Sequence, residues 1–192
     1  MAQVDNEYGS YGADYAYLAH IRDVWKSGLG EGVVIHSTDQ ANSQIMTGSR
    51  IPGVLQTVDF GIGDPSGPFS VLKASQQKLS SDPKPLMCSE IYPGNLVYWG
   101  GSSFPSPNPA TMFVETIDQI LNMSTRQATT NFVVWLFASN TDFGFWGGTL
   151  FLGQWRSLVP SYDFGAPVDE AGKLRPLFYM MRDLLQVCVC SL

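Results

Sequence analysis

Two glutamates stand where a short strand-like run gives way to a loop. Glu7 lies in Gln3-Val4-Asp5-Asn6-Glu7-Tyr8-Gly9, and Glu90 lies in Met87-Cys88-Ser89-Glu90-Ile91-Tyr92-Pro93-Gly94. A pair of carboxyls is what cleavage of a glycosidic bond needs. One protonates the leaving oxygen and the other attacks the anomeric carbon, from about 5–5.5 Å apart in a retaining enzyme. Acids at strand ends also serve as capping or solvated groups, so residue type and position alone leave both readings open. Other chemistries are less well supplied. His20 falls in a helical segment and His36 in a strand; neither has partners at metal-ligand spacing, and both read as structural. Cys88, Cys188 and Cys190 form no C-x-x-C pair and lie far from any histidine cluster, so zinc is not expected. No Ser/His/Asp hydrolase motif is visible.

The elements that must carry these residues alternate between apolar runs and helix-period segments, the rhythm of parallel strands joined by crossover helices. Strands are expected at Ala2–Val4, Val33–Ile35, Val54–Val58, Pro85–Cys88 leading into Glu90, and Phe132–Ala138, an unbroken apolar run of the kind buried on both faces of a sheet. The spacing predicts a helix over 14–27 with Tyr17, Leu18, Ile21, Val24 and Trp25 on one face, and a less periodic one over 67–79. A third opens at Asn108-Pro109 and carries Phe113, Thr116, Ile117, Ile120 and Leu121. A last one carries Leu177, Phe178, Met181, Leu184, Leu185 and Cys188. No repeat and no separating linker is visible. About five strands and four or five helices in β-α order fit half of an eight-fold β/α barrel or a small doubly wound sheet, and periodicity does not choose between them. Gly9-Ser10-Tyr11-Gly12 follows a strand, as a dinucleotide-binding turn does, but it lacks the third glycine and has a carboxylate just ahead of it, where a phosphate is repelled.

Composition narrows the partners. The chain has 192 residues, 44% hydrophobic, with a formal net charge of -6, so it can bury a sizeable core and has no basic footprint for nucleic acid. No apolar run approaches about 18 residues, so membrane insertion is not expected, and no signal peptide is visible within these residues. The 5 Trp and 8 Tyr suit a protein that stacks on sugar rings, although aromatics also build cores; Tyr92, Tyr98, Trp99 and Trp146 are open to both uses. Asn122-Met123-Ser124 is a glycosylation sequon if the chain is secreted.

Three segments in one order carry a family resemblance. Gln3-Val4-Asp5-Asn6-Glu7-Tyr8-Gly9-Ser10-Tyr11-Gly12 resembles the acid/base motif of the family 35 glycoside hydrolases, the lysosomal-type β-galactosidases. Ser89-Glu90-Ile91-Tyr92-Pro93-Gly94 resembles their nucleophile motif, and Ser161–Gly172 resembles the segment after their last barrel strand. The resemblance implies a TIM barrel that removes terminal β-linked galactose from glycans with retention of configuration, through a galactosyl-enzyme ester, without a cofactor. It implies Glu7 as acid/base, Glu90 as nucleophile, and Asn6, Tyr92, Trp135 and Phe164 as substrate contacts. Asn6 would bind the hydroxyl next to the reacting carbon. It further implies that residues 1–192 form the C-terminal part of the catalytic domain, roughly barrel strands four to eight, in a lysosomal or secreted protein. Strands one to three would then lie outside the chain, and weak or absent activity is expected of it in isolation. Asn95 stands near a position where the family usually has tryptophan, Trp135 near a family tyrosine, and Phe164 replaces a tyrosine whose hydroxyl contacts the sugar. These departures make a diverged, non-catalytic carbohydrate-binding protein the alternative.

Overall fold

The computed structural model describes residues 1–101, 110–124, 129–144, 146–151 and 153–189. Strand β1 (Ala2–Asn6) passes through a 3-10 turn (Tyr8–Ser10) into α1 (Tyr15–Leu29). Then come β2 (Ile35–Gln40), the short α2 (Ile45–Gly48), β3 (Leu55–Phe60), α3 (Ser66–Gln76), β4 (Leu86–Ile91), α4 (Ala110–Asn122) and β5 (Thr130–Val134). The rest holds β6 (Asn140–Thr141), β7 (Thr149–Phe151), β8 (Trp155–Ser157), β9 (Ser161–Tyr162) and α5 (Pro176–Val189). These elements form two compact units. The first comprises Met1–Phe60, Asp64–Ile91 and the described part of Gln119–Val133; the second comprises Gly61–Gly63 and the described parts of Tyr92–Asp118 and Val134–Leu192.

The main sheet has five strands in the order β1-β2-β3-β4-β5, and the pairs β1–β2, β2–β3 and β3–β4 are parallel. Spatial order follows chain order without a reversal, so the sheet has no switch point of the kind at which doubly wound folds bind nucleotides. Ala2, Val4, Leu18, Ile35, Ile51 and Val54 form a buried apolar cluster, with Tyr8, Ala19, Ile21 and Val33 packed against it. Asp14 caps α1 by accepting from the Tyr17 N–H at 3.0 Å, and Gly30, at φ 88, ends it. In α3, Phe69 and Leu72 are buried; in α4, Phe113, Thr116, Ile117 and Ile120 are, as the spacing predicts. Asn108 and Pro109, the expected start of α4, lie outside the described residues.

Three expectations need correction. The second strand is not Val33–Ile35 but Ile35–Gln40, and it is largely polar. The buried Thr38 hydroxyl is satisfied from neighbouring strands: Thr38 Oγ1 lies 2.8 Å from Ser89 Oγ, which lies 2.6 Å from Thr57 Oγ1, and Thr57 donates to the Ser37 carbonyl at 2.6 Å. The apolar run Phe132–Ala138 is not a strand buried on both faces. β5 stops at Val134 and lies at an edge of the sheet, and Val133, Trp135 and Phe137 are exposed. Helix α1 buries only Leu18 of its expected face; Tyr17, Val24 and Trp25 are exposed beside β1, the other edge. Trp25 Nε1 donates to the Gln3 carbonyl at 2.9 Å there, so an indole expected in the core covers a strand edge instead.

Candidate active site

Both glutamates stand at the carboxyl ends of strands, and each follows a register shift. Along β1 and β2 the partners run Gln3↔His36 and then Asn6↔Thr38, three steps against two. Along β3 and β4 they run Val58↔Cys88 and then Asp59↔Glu90, one step against two. An extra residue in one strand turns the following side chain to the other face of the pleat. Ser89, which bonds Thr57, and Glu90, which pairs with Asp59, therefore share one face. Beyond β1, the Glu7 backbone adopts φ 50, ψ 33, a left-handed conformation costly for a residue with a Cβ. It is held by its own N–H donating to the Thr38 carbonyl at 2.8 Å, by Ser10 N–H donating to the Glu7 carbonyl at 2.9 Å, and by Gly9 N–H donating to Asp39 Oδ1 at 3.0 Å.

Four carboxyls converge within the first unit: Glu7, Asp39, Asp59 and Glu90. Burial pushes Asp59 up to about 8, and the charge of Glu7, a hydrogen bond with the Glu7 carboxyl, and the charges of Glu90 and Asp39 act in the same direction. Burial also raises Glu90, with the Glu7 charge adding to it. Asp39 is raised to about 6 by burial, against the opposing hydrogen bonds from Ser49 and Gly9. Among the described residues, no ion pair involves any of the four. Such a group favours forms in which some carboxyls keep a proton while others are ionised, the division of labour that acid/base chemistry uses. The described residues contain no His/Cys/Asp/Glu cluster able to hold a metal.

The other expected site residues fall differently. Asn6 is exposed at the end of β1, and its Oδ1 accepts from Gln3 Nε2 at 3.0 Å. Tyr92 and Phe164 belong to the second unit, where their rings meet edge to face with centroids 6.5 Å apart. Phe164 is itself left-handed at φ 53 and packs against Tyr162 at 4.9 Å. Its neighbour Asp163 is anchored by Arg175 at 2.5 and 2.8 Å. Trp135 lies just past β5, not on it, and is 38% exposed. Trp99 and Trp146 are 70% and 89% exposed, which excludes the core reading for both. Asp39 and Asp59 were not singled out from the sequence. The available signal was the same as for the glutamates, an acid at the end of a strand-length run, in Ser37-Thr38-Asp39 and Thr57-Val58-Asp59.

Comparison with known proteins agrees with this arrangement of motifs. The family profile described as Glycosyl hydrolases family 35 matches residues 1–188. "Beta-galactosidase 1" of Dictyostelium discoideum is 32% identical over 198 residues, covering 97% of this chain and 28% of that protein. "Beta-galactosidase" of Homo sapiens is 31% identical over 186 residues, covering 96% of this chain and 25% of that protein. The chain thus spans about a quarter of the length of these relatives. Among solved structures, a GH2 beta-galacturonidase from Eisenbergiella tayi bound to galacturonate superposes with a TM-score of 0.52 at 11% identity, over 88% of this chain and 30% of the other, a likeness of fold alone. On the profile match over nearly its whole length and on relatives above 30% identity, the chain belongs to glycosyl hydrolase family 35.

Proposed function

We propose that this chain carries the catalytic carboxyl pair of a retaining β-galactosidase that removes terminal non-reducing β-D-galactose from glycans or glycoconjugates. One observation carries the reading: Glu7 and Glu90, at the carboxyl ends of β1 and β4 in one sheet, belong to the same electrostatic group and both act on Asp59. In the first half of the reaction Glu7 gives its proton to the leaving oxygen while ionised Glu90 attacks the anomeric carbon, forming a galactosyl ester. In the second half Glu7 takes a proton from water as it attacks that ester, and Glu90 leaves as carboxylate. The names of the relatives support galactose as the sugar. The roles of Asn6, Tyr92, Trp135 and Phe164 as sugar contacts rest on the motif resemblance.

The sequential order of the sheet supports strands four to eight of an eight-stranded β/α barrel, with residues 1–192 as the C-terminal part of that catalytic domain. A lysosomal or secreted location follows from the same resemblance; no helix of the described residues is long and apolar enough to cross a membrane. The test is mechanism-based labelling of the intact protein with a 2-deoxy-2-fluoro-galactoside bearing an activated leaving group. A stable adduct on the peptide containing Glu90 is expected. An adduct on another residue, or a full-length protein that neither turns over a chromogenic β-galactoside nor becomes labelled, overturns the reading.

A further inference from the structure

Phe164 is held in a conformation that phenylalanine avoids. At φ 53 it is left-handed, as is Gly165 after it at φ 68, but only the glycine adopts that region without strain. The backbone on both sides is tied down. The Asp163 carbonyl accepts from Ser139 Oγ at 3.0 Å and from the Ala166 N–H at 3.1 Å, and Asp163 Oδ1 accepts from the Gly165 N–H at 2.8 Å. Arg175 closes the turn: Nη1 donates to Asp163 Oδ1 at 2.8 Å and to the Ala166 carbonyl at 3.2 Å, and Nη2 donates to Asp163 Oδ2 at 2.5 Å. A two-pronged guanidinium fixes direction as well as distance. Phe164 is only 7% exposed, so little of its own ring is open to a ligand. What its conformation sets is the pair of half-buried tyrosines it touches, Tyr162 with centroids 4.9 Å apart and Tyr92 at 6.5 Å, edge to face. Backbone confines Tyr92 further, since a Cβ at Gly61 would lie 2.8 Å from its ring.

We propose that Arg175 and Asp163 are positioning residues for sugar binding: their ion pair holds Phe164 left-handed, and the Phe164 ring, backed by Tyr162, in turn fixes the Tyr92 ring for the galactosyl group. The inference rests on the proposed β-galactosidase reading, in which Tyr92 is a substrate contact. Strain of this kind persists only where the surroundings over-determine it, and it gathers at ligand clamps. Here the surroundings are the guanidinium, the Ser139 hydroxyl and two backbone N–H groups, all directed at Asp163. Arg175 and Asp163 act through the turn and are assigned no contact with the sugar. Without the pair, Phe164 relaxes to negative φ, its ring leaves the tyrosines, and Tyr92 loses the edge-to-face partner that fixes its orientation.

Substitutions in the intact protein test this. Arg175→Met removes both prongs and is expected to raise KM for a chromogenic β-galactoside, and the dissociation constant of galactose, by about tenfold, a factor within the strain that a left-handed residue holds, with kcat little changed. Arg175→Lys keeps the charge but offers a single prong, so affinity is only partly restored. Asp163→Asn keeps the acceptor for the Gly165 N–H, loses the ion pair and shifts affinity in the same direction, which covers the case of an Arg175→Met protein that does not fold. In a Phe164→Gly background the left-handed backbone is free of strain and no ring remains to be placed. Adding Arg175→Met there changes galactose affinity by less than about twofold. An ion pair that serves stability alone lowers Tm in both backgrounds and leaves the galactose affinity of the folded proteins unmoved. Unchanged affinity in the folded variants, or the same loss in the Phe164→Gly background, overturns the inference. A crystal structure of Arg175→Met, or of Asp163→Asn, reads the device directly: Phe164 at negative φ is expected, and an unmoved Phe164 and Tyr92 contradict it. If Phe164 relaxes but the parent neither binds galactose nor cleaves a β-galactoside, the β-galactosidase reading has failed and the pair is confined to shaping the turn.

Discussion

Asp39 shows how far a single buried acid can couple folding to pH. It has no exposed surface, its Oδ1 accepts the Gly9 N–H, and burial raises it to about 6. The folded value lies above the unfolded one, so the favourable contribution is complete below about pH 4 and is lost as pH rises through about 6. The loss is on the order of 2–3 kcal/mol. Asp39→Asn keeps the acceptor and removes the titration. Urea unfolding is expected to find the variant close to the parent at pH 4.5 and more stable than it at pH 7.5; an unchanged pH slope would count against burial as the cause. Glu7 and Glu90 separate by leaving group. Glu7→Gln should slow alkyl galactosides by about 10²–10⁴, the usual share of general acid catalysis. It should affect glycosylation by a dinitrophenyl galactoside far less, since that leaving group needs no proton. Steady-state and burst kinetics distinguish the two, and equal losses on both substrates would remove Glu7 from the acid role.

The turn after β1 positions Glu7 because backbone segments approach there more closely than a side chain allows. A Cβ at Gly9 would lie 2.0 Å from the Ile45 carbonyl oxygen, and one at Gly48 would lie 2.5 Å from the Gly12 carbonyl oxygen. The glycines that resemble a phosphate-binding turn thus serve packing against α2. Gly9→Ala is expected to destabilise by about 1–3 kcal/mol, and to cost activity in the molecules that remain folded by displacing Glu7. Gly28→Ala is the matched control: it lies in the last turn of α1 with nothing within 4 Å of the added methyl. It should stabilise by about 0.5–1 kcal/mol. Thermal denaturation of the pair checks both signs at once. A tolerated Gly9→Ala would show that the close approach to Ile45 is not maintained in solution.

The sheet ends in two edges, β1 and β5, and the apolar side chains Val133, Trp135 and Phe137 are exposed at or just beyond the second. Unpaired edges with apolar side chains invite strand addition. A polypeptide limited to these 192 residues is therefore expected to self-associate and to show little or no turnover. Light scattering across a concentration series, run beside a chromogenic assay, checks this. A stable monomer at high concentration with brisk turnover would show that both edges are already protected. The net charge of -6 opposes association through general repulsion but does not cap specific backbone groups.

Much of this architecture was readable in the chain. The β-α alternation, the faces of α4 and α5 and the strand-end position of both glutamates follow from local periodicity, which is written in neighbouring residues. The motifs around Glu7 and Glu90 also carry the family resemblance in sequence alone. What sequence order left open depended on long-range pairing. In the polar strand β2 the buried Thr38 is satisfied together with Thr57 and Ser89, from three strands, and no single segment reveals that. Phe132–Ala138 reads as a central strand until its place at the edge of the sheet is known. The register shifts that bring Glu90 alongside Asp59, and the meeting of Glu7 from the turn after β1 with acids of β2, β3 and β4, likewise arise only when the strands are laid side by side. Which carboxyl keeps its proton follows from that assembly, because burial and the charges of neighbouring strands are properties of the folded chain.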